Sequence, residues 1–181
     1  MKPLQEFYDS VRSYPDFPIP GVSFKDLSPI YSDPILFDSL IRILFESLKS
    51  KFSPFGSIVC PDARGFIAGS ALAYHAGVPL ILARKSGKLP DHSSIITREY
   101  GTEYSKTSIS IDSSLLKDLR HPIIFDDILA TGGTVRAVAS ILKDVHKPCI
   151  GAIFIGSIKA LKDLQTFDGS LIPDYFALLE L

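Results

Sequence analysis

Cysteine is scarce in this sequence, with two in 181 residues, and Cys60 and Cys149 form no CxxC pair. Neither a disulfide framework nor a cysteine-based metal site is therefore expected; each lies in an apolar, strand-like run and reads as a buried, reduced thiol of a cytoplasmic protein. His75, His92, His121 and His146 lack metal-ligand spacing and have no cysteine or paired histidine nearby. An excess of either charge is also missing: 19 basic residues face 20 acidic ones, for a net charge of -1. That balance supplies no global pull toward nucleic acid or an anionic membrane, so neither is expected as a partner. The N-terminus, Met1 to Glu6, contains no apolar signal core. No internal repeat or low-complexity linker divides the chain, and residues 1–181 read as a single domain. Neither a GxxxxGK[ST] loop nor a GxGxxG turn after a strand occurs.

What the chain has is apolar material: 46% hydrophobic residues, 22% charged, and a mean hydropathy of +0.23. From Gly65 to Ala83 there is no Lys, Arg, Asp or Glu, a run close in length to a membrane span. His75, Gly77 and Pro79 interrupt it, and proline inside a helix removes a hydrogen bond and clashes with the preceding turn. The better parse is a buried helix over about Gly65 to His75, a turn at Ala76-Gly77, and a strand from Pro79 to Ala83.

Leu4, Phe7, Tyr8 and Val11 fall at helical spacing and predict a short amphipathic helix. Tyr14 to Gly21 carries three prolines, which forbid helix, and aromatics that give an extended loop something to pack. Asp33-Pro34 is a helix start, a capping acid before a first-turn proline. Phe37, Leu40, Ile41, Leu44, Phe45 and Leu48 follow on one face. Beyond it, strands are expected at Ser57–Cys60, Thr107–Ile111 (half-exposed), Pro122–Phe125 (central) and Cys149–Ile155, with a polar loop from Arg84 to about Arg98. Val135, Val138, Leu142 and Val145 mark another helix. Strands alternating with helices predict an α/β fold with a mostly parallel central sheet flanked by helices.

The stretch from Ile123 to Thr134 carries the most chemistry: a buried strand ends in the carboxylates Asp126 and Asp127, then comes Ala130-Thr131-Gly132-Gly133-Thr134, then a helix. Ligands of parallel sheets bind beyond the carboxyl ends of strands. Amides of a glycine-rich turn, backed by a helix N-terminus and the hydroxyls of Thr131 and Thr134, suit a phosphate monoester. Carboxylates repel phosphate, so Asp126 and Asp127 suit sugar hydroxyls or a hydrated Mg²⁺.

This segment resembles the phosphoribosyl-pyrophosphate (PRPP) binding signature of the type I phosphoribosyltransferases, in the form used by the adenine-specific branch. Tyr14 to Asp26 resembles that branch's N-terminal hood, Asp62-Ala63-Arg64-Gly65-Phe66 its pyrophosphate loop, and Arg84 to Pro90 its second anion-binding segment. The resemblance implies a hood at about 14–26 and a mobile catalytic loop at about 85–106. It implies transfer of ribose 5-phosphate from PRPP to N9 of adenine, giving AMP and pyrophosphate, with Mg²⁺ held mainly by PRPP and water and in part by Asp126 and Asp127. It also implies a homodimer. Asp126 and Asp127 would hold the ribose hydroxyls, Ala130 to Thr134 the 5′-phosphate, and Ala63, Arg64, Arg84, Lys85 and Lys88 the pyrophosphate. Val22, Ser23 and Phe24, with Arg64, would meet the base, although Ser23 stands where an aliphatic residue is usual.

The resemblance also implies a Glu-Tyr pair in the catalytic loop, the Glu managing the proton on the purine imidazole ring. Two pairs occur, Glu99-Tyr100 and Glu103-Tyr104; the distance the family keeps between this pair and the next strand, here at Ile109, implies Glu103 and Tyr104 and leaves Glu99 as the alternative. His92, in the anion-binding segment, is assigned to the surface, and Lys159 to Leu164 receives no function. Two other functions share parts of the pattern: a hypoxanthine, guanine or xanthine transferase would share the PRPP loop, and a non-catalytic PRPP-sensing regulator would keep the fold.

Overall fold

The computed structural model of the chain describes residues 2–102, 105–165 and 167–181. Helix α1 (Lys2–Ser10) leads into β1 (Arg12–Tyr14) and β2 (Phe24–Asp26), which pair antiparallel with Tyr14 opposite Phe24. The proline-rich stretch between them closes on itself. Phe17 packs edge-on against Phe24 at 5.4 Å between ring centroids, and the Gly21 amide donates to Asp16 at 2.8 Å. A short helix α2 (Ser28–Ser32) precedes α3 (Pro34–Phe52), whose start follows from local chemistry. The Asp33 carboxylate accepts from the amides of Ile35 and Leu36 at 2.9 and 3.0 Å, satisfying donors that a first turn leaves open.

The sheet is built from β3 (Ser57–Pro61), β4 (Leu80–Lys85), β5 (Ile95–Thr102), β6 (Ser105–Asp112), β7 (Pro122–Leu129), β8 (Gly151–Ser157) and β9 (Tyr175–Glu180), in the order β5-β6-β4-β3-β7-β8-β9. Strands β4, β3, β7, β8 and β9 run parallel, and the β5–β6 hairpin adds antiparallel to the β4 edge. Alternation along β7 feeds two cores. Ile123 and Phe125 face the layer of α3 and α4 (Gly65–Ala76), while Ile124 faces α5 (Gly133–Asp144). The strand order reverses between β3 and β7, which places the loops after their carboxyl ends in one crevice.

Several expectations change in detail. The helix over the uncharged run is buried along one side only, through Ala68, Gly69, Leu72 and Ala73. Ile67 and Tyr74 stand 46% and 90% exposed. Its inner side is tight: a Cβ at Gly69 would come within 2.2 Å of the Cys60 sulfur. Gly77 ends the helix with φ of 65°, and no helix among the described residues is long and apolar enough to cross a membrane. The polar loop expected from Arg84 to Arg98 is shorter, because Arg84 and Lys85 belong to β4 and residues from Ile95 onward pair with β6. Strand β6 is not half-exposed. Ile109, Ser110 and Ile111 are all buried, since β5 and β4 flank them in the sheet and α5 covers a face. The strand expected to stop at Phe125 continues to Leu129, so both carboxylates sit inside it. Cys60 and Cys149 are buried and unpaired, as expected.

Candidate active site

Asp127 is only 2% exposed, although two adjacent acids at a strand end would ordinarily face solvent. Its Oδ1 accepts from the Ile128 amide at 2.7 Å, and the Asp126 Oδ1 accepts from the Asp127 amide at 2.9 Å. The Asp127 Oδ2 lies 2.9 Å from Arg64 Nε as an ion pair, without the alignment of a hydrogen bond, so this buried oxygen has no donor among the described residues. Burial pushes both carboxyls above the ordinary range. The neighbouring Asp127 charge adds to the effect on Asp126, and the Arg64 guanidinium counters it at Asp127. Such a pair gains when hydroxyl donors or a hard cation arrive. The donor set, carboxylate oxygen with an open lone pair, fits a hydrated Mg²⁺ or the hydroxyls of a sugar. No cluster of three or more metal-ligating side chains occurs among the described residues, so a cation here would draw most of its ligands from a bound molecule and water. The buried Tyr31 hydroxyl likewise has no hydrogen-bond partner among the described residues. Burial, and then the Asp127 charge, raise it above the ordinary phenol range.

Arg64 ties this acid pair to the hood. Its Nη1 donates to the Lys25 carbonyl at 3.3 Å, and its guanidinium stacks over Phe24 at 5.3 Å. Under the hood lies a cavity of about 320 Å³ lined by Gly21 to Lys25, Arg64, Ile128, Ala130, Ile158, Ala160 and Leu161. Val22, Ser23, Phe24 and Arg64 are thus brought together around one space. Ile158, Ala160 and Leu161 were not anticipated, and the segment following β8, to which no function was assigned, forms a wall of that cavity. Ile158 directly follows the carboxyl end of a parallel strand, which is the signal that could have found it.

A second, smaller cleft of about 70 Å³ is lined by Asp126 and by residues 128–135, including Ala130, Thr131, Gly132, Gly133 and Thr134. Gly132 caps α5 with φ of 79°, a conformation that side chains with a Cβ rarely adopt. The two clefts share Ile128 and Ala130, so a ligand with an apolar ring at one end and a phosphate at the other could occupy both.

The cations expected for pyrophosphate are not gathered in one cluster: Arg64 pairs with Asp127, Arg84 with Asp62, and Lys85 and Lys88 line another cleft. Arg84 pairs with Asp62 at 2.9 Å and stacks over Phe66 at 5.6 Å, which links the ends of β3 and β4. Ala63 lies between Asp62 and Arg64 in that loop, and its peptide bond to Asp62 is cis. Lys85 and Lys88 line an open cleft with Ser86, Glu99, Thr107 and Ser108. Glu99 therefore faces the lysines and is not among the residues lining the cavity under the hood. Glu103 and Tyr104 lie outside the described residues. The hairpin reaches over α5: Arg98 pairs with Asp144, and a Cβ at Gly133 would touch the Tyr100 ring at 3.4 Å.

Comparison with known proteins agrees with this geometry. The model of the phosphoribosyl transferase domain matches residues 27–158. The adenine phosphoribosyltransferase of Prochlorococcus marinus (strain AS9601) is 40% identical over 165 residues, covering 91% of this chain and 95% of that protein. Among solved structures, the adenine phosphoribosyltransferase of Thermoanaerobacter pseudethanolicus superposes with a TM-score of 0.88 at 35% identity, over 98% of this chain and 99% of that one. The Saccharomyces cerevisiae enzyme, complexed with adenine and an imino-altritol bisphosphate, superposes with a TM-score of 0.85 at 29% identity, over 98% and 99% of the two chains. The chain belongs to the phosphoribosyltransferase family, among its adenine phosphoribosyltransferases.

Proposed function

We propose that the protein transfers ribose 5-phosphate from PRPP to N9 of adenine, releasing AMP and pyrophosphate in purine salvage. The observation that carries this reading is that the cavity under the hood and the cleft at the glycine-rich turn share Ile128 and Ala130 in their walls. A nucleoside monophosphate, apolar ring at one end and phosphate at the other, suits that pairing of an apolar cavity with a phosphate cleft. The cavity's lining side chains are apolar apart from Ser23 and the cations Lys25 and Arg64. No carboxylate or amide side chain is among them, so the acceptor for the 6-amino group of adenine comes from the backbone. Hood backbone groups at Val22 and Ser23 read the edge of the base.

In this reading Ala130 to Thr134 hold the 5′-phosphate, and Asp126 and Asp127 hold the ribose hydroxyls. Arg64, Arg84, Lys85 and Lys88, with the Ala63 backbone, meet the charge that builds on the departing pyrophosphate. Asp126 and Asp127, with PRPP and water as the main ligands, would hold Mg²⁺, which would supply positive charge against the diphosphate. N9 bonds to C1′ as the bond from C1′ to the pyrophosphate oxygen breaks, and the Glu103 carboxylate takes the imidazole-ring proton. The transition state is cationic at C1′, so positioning and charge do the catalysis and no protein nucleophile is required. Closure of the 85–106 segment, with Tyr104, over the bound pair belongs to the same proposal. A homodimer is also proposed, because Ile67 and Tyr74 offer apolar surface that a second copy would cover. The unpaired, buried thiols fit a reducing cytoplasm.

The test is AMP formation from adenine, PRPP and Mg²⁺, followed with and without a chelator. AMP that disappears on chelation supports the reading. PRPP binding without product from any base would make the protein a sensor instead.

A further inference from the structure

A cation stands in the first turn of α5, at the helix end that already carries positive partial charge: Arg136. Its placement is specific. The Nη2 donates to the Thr131 carbonyl at 2.6 Å, and the Arg136 amide donates to the Gly132 carbonyl at 2.9 Å. Its guanidinium stacks over the Phe167 ring at 5.6 Å. Both side chains press on Gly132, where an added Cβ would meet Phe167 at 2.9 Å and Arg136 Nη1 at 3.0 Å. Phe167 in turn stands edge-on to Tyr175 at 5.4 Å, and Tyr175 edge-on to the fully buried Phe154 at 6.3 Å. A file of rings thus runs from the core between β8 and α5 to the back of the phosphate loop.

We propose that Arg136, seated on Phe167, is a positioning residue for the 5′-phosphate cradle. By holding the Thr131 carbonyl and packing against Gly132 in its left-handed conformation, the guanidinium fixes the loop. The amides at the start of α5, which have no partner within the helix, are then left for a ligand. The charge that opposes the helix dipole in the empty site is offset when a phosphate dianion arrives, so the same residue raises affinity for phosphate-bearing ligands. Phe167 lies 31 residues after Arg136 in the chain, in the segment joining β8 to β9. The clamp therefore ties loop geometry to the far edge of the sheet.

The inference rests on the reading that residues 130–134 hold the 5′-phosphate, and the experiment separates the two. Ribose 5-phosphate and, separately, adenine are titrated calorimetrically against the wild type, Arg136→Met, Phe167→Leu, the double variant and Thr134→Val. Arg136→Met weakens ribose 5-phosphate about tenfold, a loss the size of one charge-assisted hydrogen bond, and leaves adenine within about twofold. Phe167→Leu acts in the same direction. The double variant is no weaker than Arg136→Met by more than about twofold, because side chains that act as one unit are not additive. Fully additive losses, or equal losses for adenine and ribose 5-phosphate, overturn the clamp. Should Arg136→Met fail to fold, Phe167→Leu carries the test. If Thr134→Val leaves ribose 5-phosphate affinity unchanged, the cradle falls and the clamp with it. If Thr134→Val weakens binding and Arg136→Met does not, the clamp alone falls.

Discussion

Asp127→Asn is expected to lower kcat/KM for PRPP about a thousandfold, with the fold intact. The carboxylate is buried inside β7, yet its Oδ2 has no hydrogen-bond donor among the described residues and pairs with the Arg64 guanidinium. An amide at this position is isosteric and uncharged, so it removes the desolvation cost of the acid and leaves the half-exposed Arg64 to water. What it loses is acceptor strength toward ribose hydroxyls or a bound cation. Charge-assisted hydrogen bonds are about twice as strong as neutral ones, and two or three of them account for a loss of that size. Steady-state kinetics beside a melting curve check the claim: a variant as stable as the wild type and nearly inactive supports it. Unchanged kinetics would remove Asp127 from the site.

The second large effect separates two acids. Glu103→Gln is expected to cut kcat by about a hundredfold, within the usual range for losing a general acid–base group. Glu99→Gln should cost no more than about threefold, since Glu99 sits on β5 opposite Ser108 and lines the cleft of Lys85 and Lys88, away from the hood cavity. Single-turnover rates for the two variants, measured with saturating adenine and PRPP, provide the comparison. If Glu99→Gln is the crippled variant, the catalytic pair is Glu99-Tyr100, and the register of the loop shifts accordingly.

How much of this was legible in the sequence depends on the range of the interactions involved. Asp33 capping α3, Gly77 ending α4 and the strand–turn–helix order at 122–144 are encoded by neighbours, although β7 runs past its expected end at Phe125 to Leu129. The 14–21 stretch was legible as a non-helical loop for the same reason: its prolines exclude helix, and Phe17 packs edge-on against Phe24. Strand β5 was not, because Ile95–Thr102 mixes polar and apolar residues and owes its conformation to pairing with β6. Strand β9 likewise forms on the edge of β8, far along the chain.

Within the site, the structure gathers Val22, Ser23, Phe24 and Arg64 around one cavity, but the environments of the site residues were not legible. Two adjacent acids suggest exposure, whereas β7 runs through the middle of the sheet and buries Asp127. The wall formed by Ile158 and Leu161 depends on where β8 delivers the chain, and the contact of Arg136 with Phe167 depends on how the 158–174 segment folds back. The Asp62–Arg84 pair joins the carboxyl ends of neighbouring strands, a relation that only the parallel register creates. The uncharged run from Gly65 to Ala83 acquires its meaning here. It is the helix and strand that carry Arg64 and Arg84 at its two ends.

The central claim is that this site joins adenine, in preference to other purines, to the ribose 5-phosphate of PRPP. The most direct measurement is pyrophosphate release with PRPP and Mg²⁺, taken as kcat/KM for adenine, hypoxanthine, guanine and xanthine in turn. The account predicts that adenine exceeds each of the others by about a thousandfold or more, the discrimination that hydrogen-bond mismatch in a closed pocket supplies. Equal or greater turnover with hypoxanthine or guanine, or no release with any base, would contradict it.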